Sequence, residues 1–226
     1  MKKKVIALAM AVLMLGTLAL TGCKKEAPIG GDKVAEVIFN LMLKNDATSA
    51  VELFGFASEE EARKGLGMED NIYEDLADQL ATQFSNAGMT VSNEQMQAFV
   101  DAFITMFSNV ELTAVMKEAD EKAGTAVVTC TVNTFDPEAL TQGMAEAMNN
   151  VDPSAIESGD MEAAFGSILQ AMADVIADIK PTDKTADFDV DFVLRKMDVN
   201  GKEKLIWMPE DEAKFGELIS STAMGG

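Results

Sequence analysis

Residues Asp187 to Trp207 constrain the fold more than any other stretch. Asp187-Phe188-Asp189-Val190-Asp191-Phe192 alternates polar and apolar without a break, and Leu194 continues the apolar set. Successive strand side chains point to opposite faces, so this pattern predicts a strand with one face on a core. Asn200-Gly201 follows, a dipeptide suited to a two-residue hairpin turn because both positions tolerate positive φ. A turn there pairs Val199 with Lys202, and therefore Lys196 with Leu205 and Leu194 with Trp207. That register puts Leu205 and Trp207 on the face of Phe188, Phe192 and Leu194. Turn chemistry and apolar pattern thus select the same register independently.

A second hairpin is expected earlier. From Asn109 the apolar period shortens from 3.6 to 2: Val110, Leu112, Ala114 and Met116 alternate with polar residues. A turn at about 120–124 leads to Ala126, Val128, Cys130 and Val132, again alternating. The remaining segments read as helices. Asp32 is an expected N-cap for a helix to Leu43, carrying Val34, Val37, Ile38, Leu41 and Met42. Asp46 caps a short continuation to Phe54. Ser58-Glu59-Glu60-Glu61 and Ser92-Asn93-Glu94-Gln95 have the capping-box pattern. Between them, a helix from about Glu69 to Ala87 carries a stripe of Ile72, Leu76, Leu80 and Phe84, with Gly88 as its stop. The helix after Ser92 directs Met96, Phe99, Val100, Phe103 and Phe107 inward. Asp136-Pro137 opens a helix with Leu140, Met144 and Met148. Asp152-Pro153 and Ser158-Gly159 mark a turn. A helix over 160–179 then carries Phe165, Ile168, Leu169, Met172, Val175 and Ile176, and Pro181 ends it. A last helix spans 210 to about 221. The short links favour a single α+β domain over 32–226, with helices covering one face of a bent four-stranded antiparallel sheet.

The first 22 residues are of another kind. Met1-Lys2-Lys3-Lys4 is basic, Val5 to Ala19 is apolar, and Leu20-Thr21-Gly22-Cys23 closes the run. This is the build of a secretory signal, too short for a convincing spanning helix. Its last four residues resemble the lipobox of bacterial lipoproteins. The resemblance implies a diacylglyceryl group on Cys23, loss of residues 1–22, and an anchor of acyl chains, palmitate among them, at the extracytoplasmic face of the cell membrane. Residues 23–31, with Pro28 and Gly30-Gly31, read as a tether of at most about 27 Å from Lys24 onwards.

With that anchor, the two-hairpin layout resembles the small lipoproteins of Gram-positive bacteria whose domain is like nuclear transport factor 2. The residues carrying it are Leu20–Cys23, the strand pair around Val110–Met116 and Ala126–Val132, and the hairpin Phe188–Trp207. The resemblance implies a bent sheet wrapped around helices to form a cone with a pocket. Members of this group generally lack an assigned activity, so it implies a fold far more than a function.

Composition excludes more than it selects. The formal charge is −20, and because the signal holds three lysines and no acids, the mature chain carries −23. Such a body avoids nucleic acid and is repelled by anionic headgroups. There is no histidine, and lipidation of Cys23 leaves Cys130 alone. A Ser-His-Asp triad, a Cys-His pair, a His-ligated zinc site and an internal disulfide are all excluded.

The candidate constellations are few. Asp187, Asp189 and Asp191 project from one side of a strand, about 6.5–7 Å apart; they suit a solvated face better than a calcium loop, whose ligands converge. Glu59-Glu60-Glu61 and Glu210-Asp211-Glu212 fall in first turns of helices, where the helix dipole favours them. Cys130, between Val128 and Val132, reads as a buried small hydrophobe. The 16 methionines, Met42, Met96, Met106, Met144, Met148, Met161 and Met172 among them, fill a core or line an adaptable apolar groove. Trp207 packs in the sheet core or floors a pocket. Tyr73, like it, is single.

The expectation is a non-enzymatic module, without cofactor or metal, binding a protein partner or an apolar small molecule. The alternative is a carboxylate-dependent hydrolase of cell-envelope glycan. The first requires Met, Phe and Trp around the largest cavity. The second requires two carboxylates converging across about 5–9.5 Å.

Overall fold

The computed structural model describes residues 27–68, 72–89, 91–149, 151 and 161–225, without the side chains of 72–75 and 161–162. Cys23, the whole signal, the turn around Pro153 and the side chains of Tyr73 and Met161 lie outside the described residues. In chain order the elements are α1 (Gly31–Lys44), α2 (Thr48–Phe54), α3 (Glu59–Gly65), α4 (Ile72–Asn86), α5 (Asn93–Ser108), β1 (Leu112–Asp120), β2 (Thr125–Asn133), α6 (Pro137–Asn149), α7 (Met161–Asp178), β3 (Thr185–Val199), β4 (Lys202–Pro209) and α8 (Glu212–Ala223).

The α+β class and the four-stranded antiparallel sheet are as expected, in the order β1-β2-β3-β4. The Asn200-Gly201 register also holds: Val199 faces Lys202, Lys196 faces Leu205 and Leu194 faces Trp207. Both turn residues have positive φ, 54° and 73°, as a tight hairpin turn of matching twist needs. Asp120 closes the other hairpin by accepting from the backbone N–H groups of Lys122 and Ala123.

One face of the sheet is the core. Ala126, Val128, Cys130 and Val132 of β2 and Val190 and Phe192 of β3 are buried on it. Two helices cover this face side by side. Gly31 at the start of α1 abuts Val128, Phe192 and Trp207. Phe215 of α8 packs edge-on against the Phe192 ring, 6.4 Å between centroids. Because Phe192 touches both, α1 and α8 share one side. The opposite face carries Thr129, Thr131, Asp187, Asp189 and Asp191 to solvent.

A second helical layer lies beyond α1. α5 packs on α1, α4 and α7 pack on α5, and α6 packs on α7. α1 therefore lies between sheet and helices, which accounts for burial of Val34, Ala35, Val37, Ile38, Phe39 and Leu41 over most of its circumference, while Lys33 and Lys44 stay exposed. The outer helices have a small core of their own: Ala77, Ala81, Met96, Val100 and Leu169.

The structure corrects several expectations. Asp32 lies inside the first turn of α1, and the N-cap is Gly30, with no side-chain cap. Asp46 is not the N-cap of α2 either: that position is Ala47, without a side-chain cap, and Asp46 one residue earlier accepts from Thr48 N–H at 2.8 Å. Leu205 is only half-buried, while Ile206 and Met208, of opposite parity, are buried with Trp207. Near the hairpin tip the Lys204 ammonium donates to the Phe54 carbonyl, at the end of α2, at 2.7 Å. Among the described side chains of α4 the buried ones are Ala77 and Ala81, not Leu76 and Leu80; on α6 Gly143 and Ala147 are buried, and Met148 is 56% exposed.

Ile29 extends the sheet. It lies parallel to β4, donating to the Leu205 carbonyl at 2.9 Å and accepting from Trp207 N–H at 3.1 Å.

Candidate functional site

Two concavities of opposite character stand out among the described residues. The first is apolar and depends on how α5 begins. Ser92 Oγ accepts from Gln95 N–H, and Gln95 Oε1 accepts from Ser92 N–H, a complete capping box. From that fixed start, α5 buries Met96 and Val100 toward the outer helices, and Ala102 and Met106 toward the main core. Phe99, Phe103 and Phe107, each one turn on, run between those two buried sets and are half-exposed. Phe99 and Phe103 meet edge-to-face with centroids 5.1 Å apart, and Phe107 is anchored edge-on to the buried Phe135 at 5.7 Å.

Leu43 at the end of α1 and Leu76 and Leu80 of α4 complete the walls. With Val100 and Ile104 they enclose a groove of about 430 Å³ lined by no polar residue. Leu76 is 42% exposed at its rim. That volume falls within the small-molecule range of about 300–1,000 Å³.

The second concavity is larger, about 560 Å³, and acidic: Asp189, Asp191, Glu210, Asp211, Glu212 and Lys214 line it. It continues through Asp191 and Glu210 into a trough of about 480 Å³ bordered by Glu118 and Asp120. The larger of these two concavities has no Met, Phe or Trp in its lining. Trp207 is buried under α1 and lines neither concavity. The Phe residues line the smaller groove, and no methionine does.

Several acidic side chains have evident partners. Asp211 caps α8, accepting from Lys214 N–H at 3.0 Å. Glu212 faces Arg195 at 3.7 Å. Asp189 accepts from Thr129 Oγ1 at 2.6 Å and from Lys117 Nζ at 3.1 Å, and the Thr129 and Lys117 bonds hold its carboxyl below the usual range. Asp187 accepts from Thr131 Oγ1 at 2.7 Å. Thr129 and Thr131 lie directly opposite Asp189 and Asp187 in the ladder, so these carboxylates take part in cross-strand pairs. No group of three His, Cys, Asp or Glu among the described residues is arranged to hold a metal ion. Glu59 and Glu61 bond Thr48 Oγ1 and Ala57 N–H, and Ser58 caps α3.

Cys130 is a core residue, as expected. Burial pushes its thiol up to about 12, with lesser contributions from Asp189 and Glu36, the opposite of what a reactive cysteine needs.

Sequence reading found Phe99, Phe103 and Phe107 but sent them to the core. It missed Leu43 as a wall and took Leu76 and Leu80 as the centre of a packing stripe. The usable signal was Ala77 and Ala81 one residue on, a smaller stripe on which two helices approach more closely.

No family model matches the chain, and no curated protein matches its sequence. Among solved structures, the crystal structure of a Bacillus subtilis protein described as a "putative lipoprotein (ycdA)" is similar in fold. The TM-score is 0.52 at 16% identity, over 85% of this chain and 56% of that one. This chain thus corresponds to little more than half of that protein. At such identity the likeness concerns the fold. No helix among the described residues is long and apolar enough to cross a membrane.

Proposed function

We propose that this chain is an extracytoplasmic lipoprotein, anchored through lipid on Cys23, that binds an apolar small molecule in the groove between α1, α4 and α5. The observation that carries the binding reading is the lining of that groove. Leu43, Leu76, Leu80, Val100 and Ile104 enclose it with three phenylalanines and offer no polar group to orient a headgroup. A hydrocarbon chain is the ligand such a surface suits, since leaving it empty keeps apolar area in water. Similarity to a Bacillus protein described as a lipoprotein supports the anchor, as does the lipobox-like Leu20–Cys23. The antiparallel sheet enclosing α1 is compatible with a fold like nuclear transport factor 2.

The acidic trough favours the second reading, a glycan hydrolase. Such an enzyme keeps one carboxyl protonated near neutral pH. Asp189 is pushed the other way, and Asp211 and Glu212 have structural partners. The binding reading therefore stands first.

The test is titration with cis-parinaric acid, a fluorescent fatty acid. Saturable binding is expected, lost in Leu76→Lys, whose half-exposed side chain can be replaced without opening the core. Binding that is absent, or unchanged in Leu76→Lys, rejects the groove.

A further inference from the structure

We infer that the tip of the β3–β4 hairpin, Asn200–Lys202, is the end of the domain held against the bilayer, with anionic lipid headgroups as its partner. The inference rests on the lipid anchor at Cys23 proposed above. The decisive contact is Ile29. Its two backbone hydrogen bonds, to Leu205 and from Trp207, fasten the chain to the edge of β4. Only six Cα–Cα steps separate it from Cys23, and they span at most about 20–22 Å. The leash is thus shorter than its composition suggests, because Ile29 already belongs to the sheet.

The bridge also has a direction. Ile29 runs parallel to β4 opposite Ile206, so the chain arrives from the side of Lys202. Measured back along β4 from Ile206, the Asn200–Gly201 turn lies five to six residues away, about 17–20 Å at strand spacing. Residues 27–29 therefore arrive from the hairpin-tip side, and the tip lies within the greatest reach of the leash. An anchor in the membrane at the end of the leash brings the hairpin tip to the headgroups.

Charge agrees with this placement. Residues 196–204, toward the tip, hold three basic and two acidic side chains in a chain of net charge −20. Lys202 is exposed at the tip, and Lys196 pairs with Glu203 at 2.7 Å, both largely in water. The acidic first turn of α3 lies nearby, since Asn200 Nδ2 donates to the Gly55 carbonyl at 2.7 Å. Its Glu59 and Glu61 are turned back onto Thr48 and Ala57. An acidic body repelled by an anionic surface turns its least acidic end toward it.

The experiment uses the full lipidated protein in phosphatidylglycerol vesicles carrying a nitroxide on the headgroup. A bimane label is placed at Lys202→Cys or, at the far end of β3, at Asp183→Cys. Cys130 is buried and leaves each label unique. Quenching several-fold stronger at 202 than at 183 is expected, falling when eight Gly/Ser residues are inserted after Lys25. Lys196→Cys serves as a second proximal position. Equal quenching, stronger quenching at 183, or indifference to the insertion overturns the orientation. Protein that carries no diacylglyceryl mass and does not float with the vesicles overturns the anchor reading itself, a result distinct from the others.

Discussion

Replacing Gly31 by alanine tests whether α1 is seated on the sheet as closely as the structure requires. Gly31 does not use a left-handed conformation, so the substitution carries no backbone strain and its effect is steric. The new Cβ would stand 2.9 Å from Val128 Cγ2, 3.0 Å from Phe192 Cδ1 and 3.3 Å from Trp207 Cβ. All three neighbours are buried, and none offers a flexible end that can swing aside. Overpacking of this kind costs about 1–3 kcal/mol. Alanine's better helix propensity returns at most about 1 kcal/mol. The net expectation is a loss of about 1–2 kcal/mol, or a Tm lower by about 2–8 °C at this chain length. Trp207 is the only tryptophan and sits in the contact, so its emission in a urea titration reports the transition. Val128→Ala alone should cost about 2 kcal/mol through lost methyl groups. Because it also makes room for the new Cβ, the double variant should lose about 0.5–1 kcal/mol less than the sum. A Gly31→Ala protein as stable as the parent, or strict additivity with Val128→Ala, would refute the seating.

Two further outcomes are expected. Cys130 should resist maleimide at pH 8 until the protein unfolds. Its folded pKa lies above that of the unfolded chain, so its contribution to stability is complete below about pH 8.5 and is lost as pH climbs toward about 12. Denaturation midpoints between pH 8 and 10.5 should therefore fall more steeply in the parent than in Cys130→Ala, and parallel slopes would contradict the assignment. Gly166→Ala on α7 would drive a Cβ into the side-chain amide of Gln95, the group that closes the capping box of α5. Displacing it should cost about 1 kcal/mol; Gln95→Ala added on top should then cost almost nothing, and full additivity in the urea midpoints would exclude this coupling.

The sheet was legible because two independent signals specified it. Alternation in β2 and β3 matched burial at Val128, Cys130, Val132, Val190 and Phe192, and Asn200-Gly201 fixed a register that holds along all of β4. Burial along β4 was less legible, since Ile206, Trp207 and Met208 are buried in succession, against the alternation that the strand period leads one to expect. The same holds for Ile29, whose pairing partner lies 177 positions away. Helix existence was read correctly from caps such as Ser58 and Ser92, each of them a local hydrogen bond, whereas Asp211, read as part of a first turn, is the N-cap of α8. The groove was not legible, and the reason is the size of the residues at the helix contacts.

In the outer layer the buried positions are small. α4 buries Ala77 and Ala81, α6 buries Gly143 and Ala147, and α7 buries Ala164, Gly166 and Ala173 beside Leu169 and Ile176. A Cβ on Gly143 would lie 2.7 Å from Val175, so these helices approach closely along small-residue seams. A sequence reading centres each amphipathic stripe on its largest side chains. Here the contact is centred one position over, and the large side chains fall to its flank. Leu76 and Leu80 are displaced in this way on α4, as are Met144 and Met148 on α6. On α4 the displaced leucines meet Phe99 and Phe103, which α5 leaves between its own two buried sets. The groove follows from that displacement: enlarging Ala77 or Ala81 would push α4 outward and change the gap that Leu76 and Leu80 wall, without altering any residue that lines it.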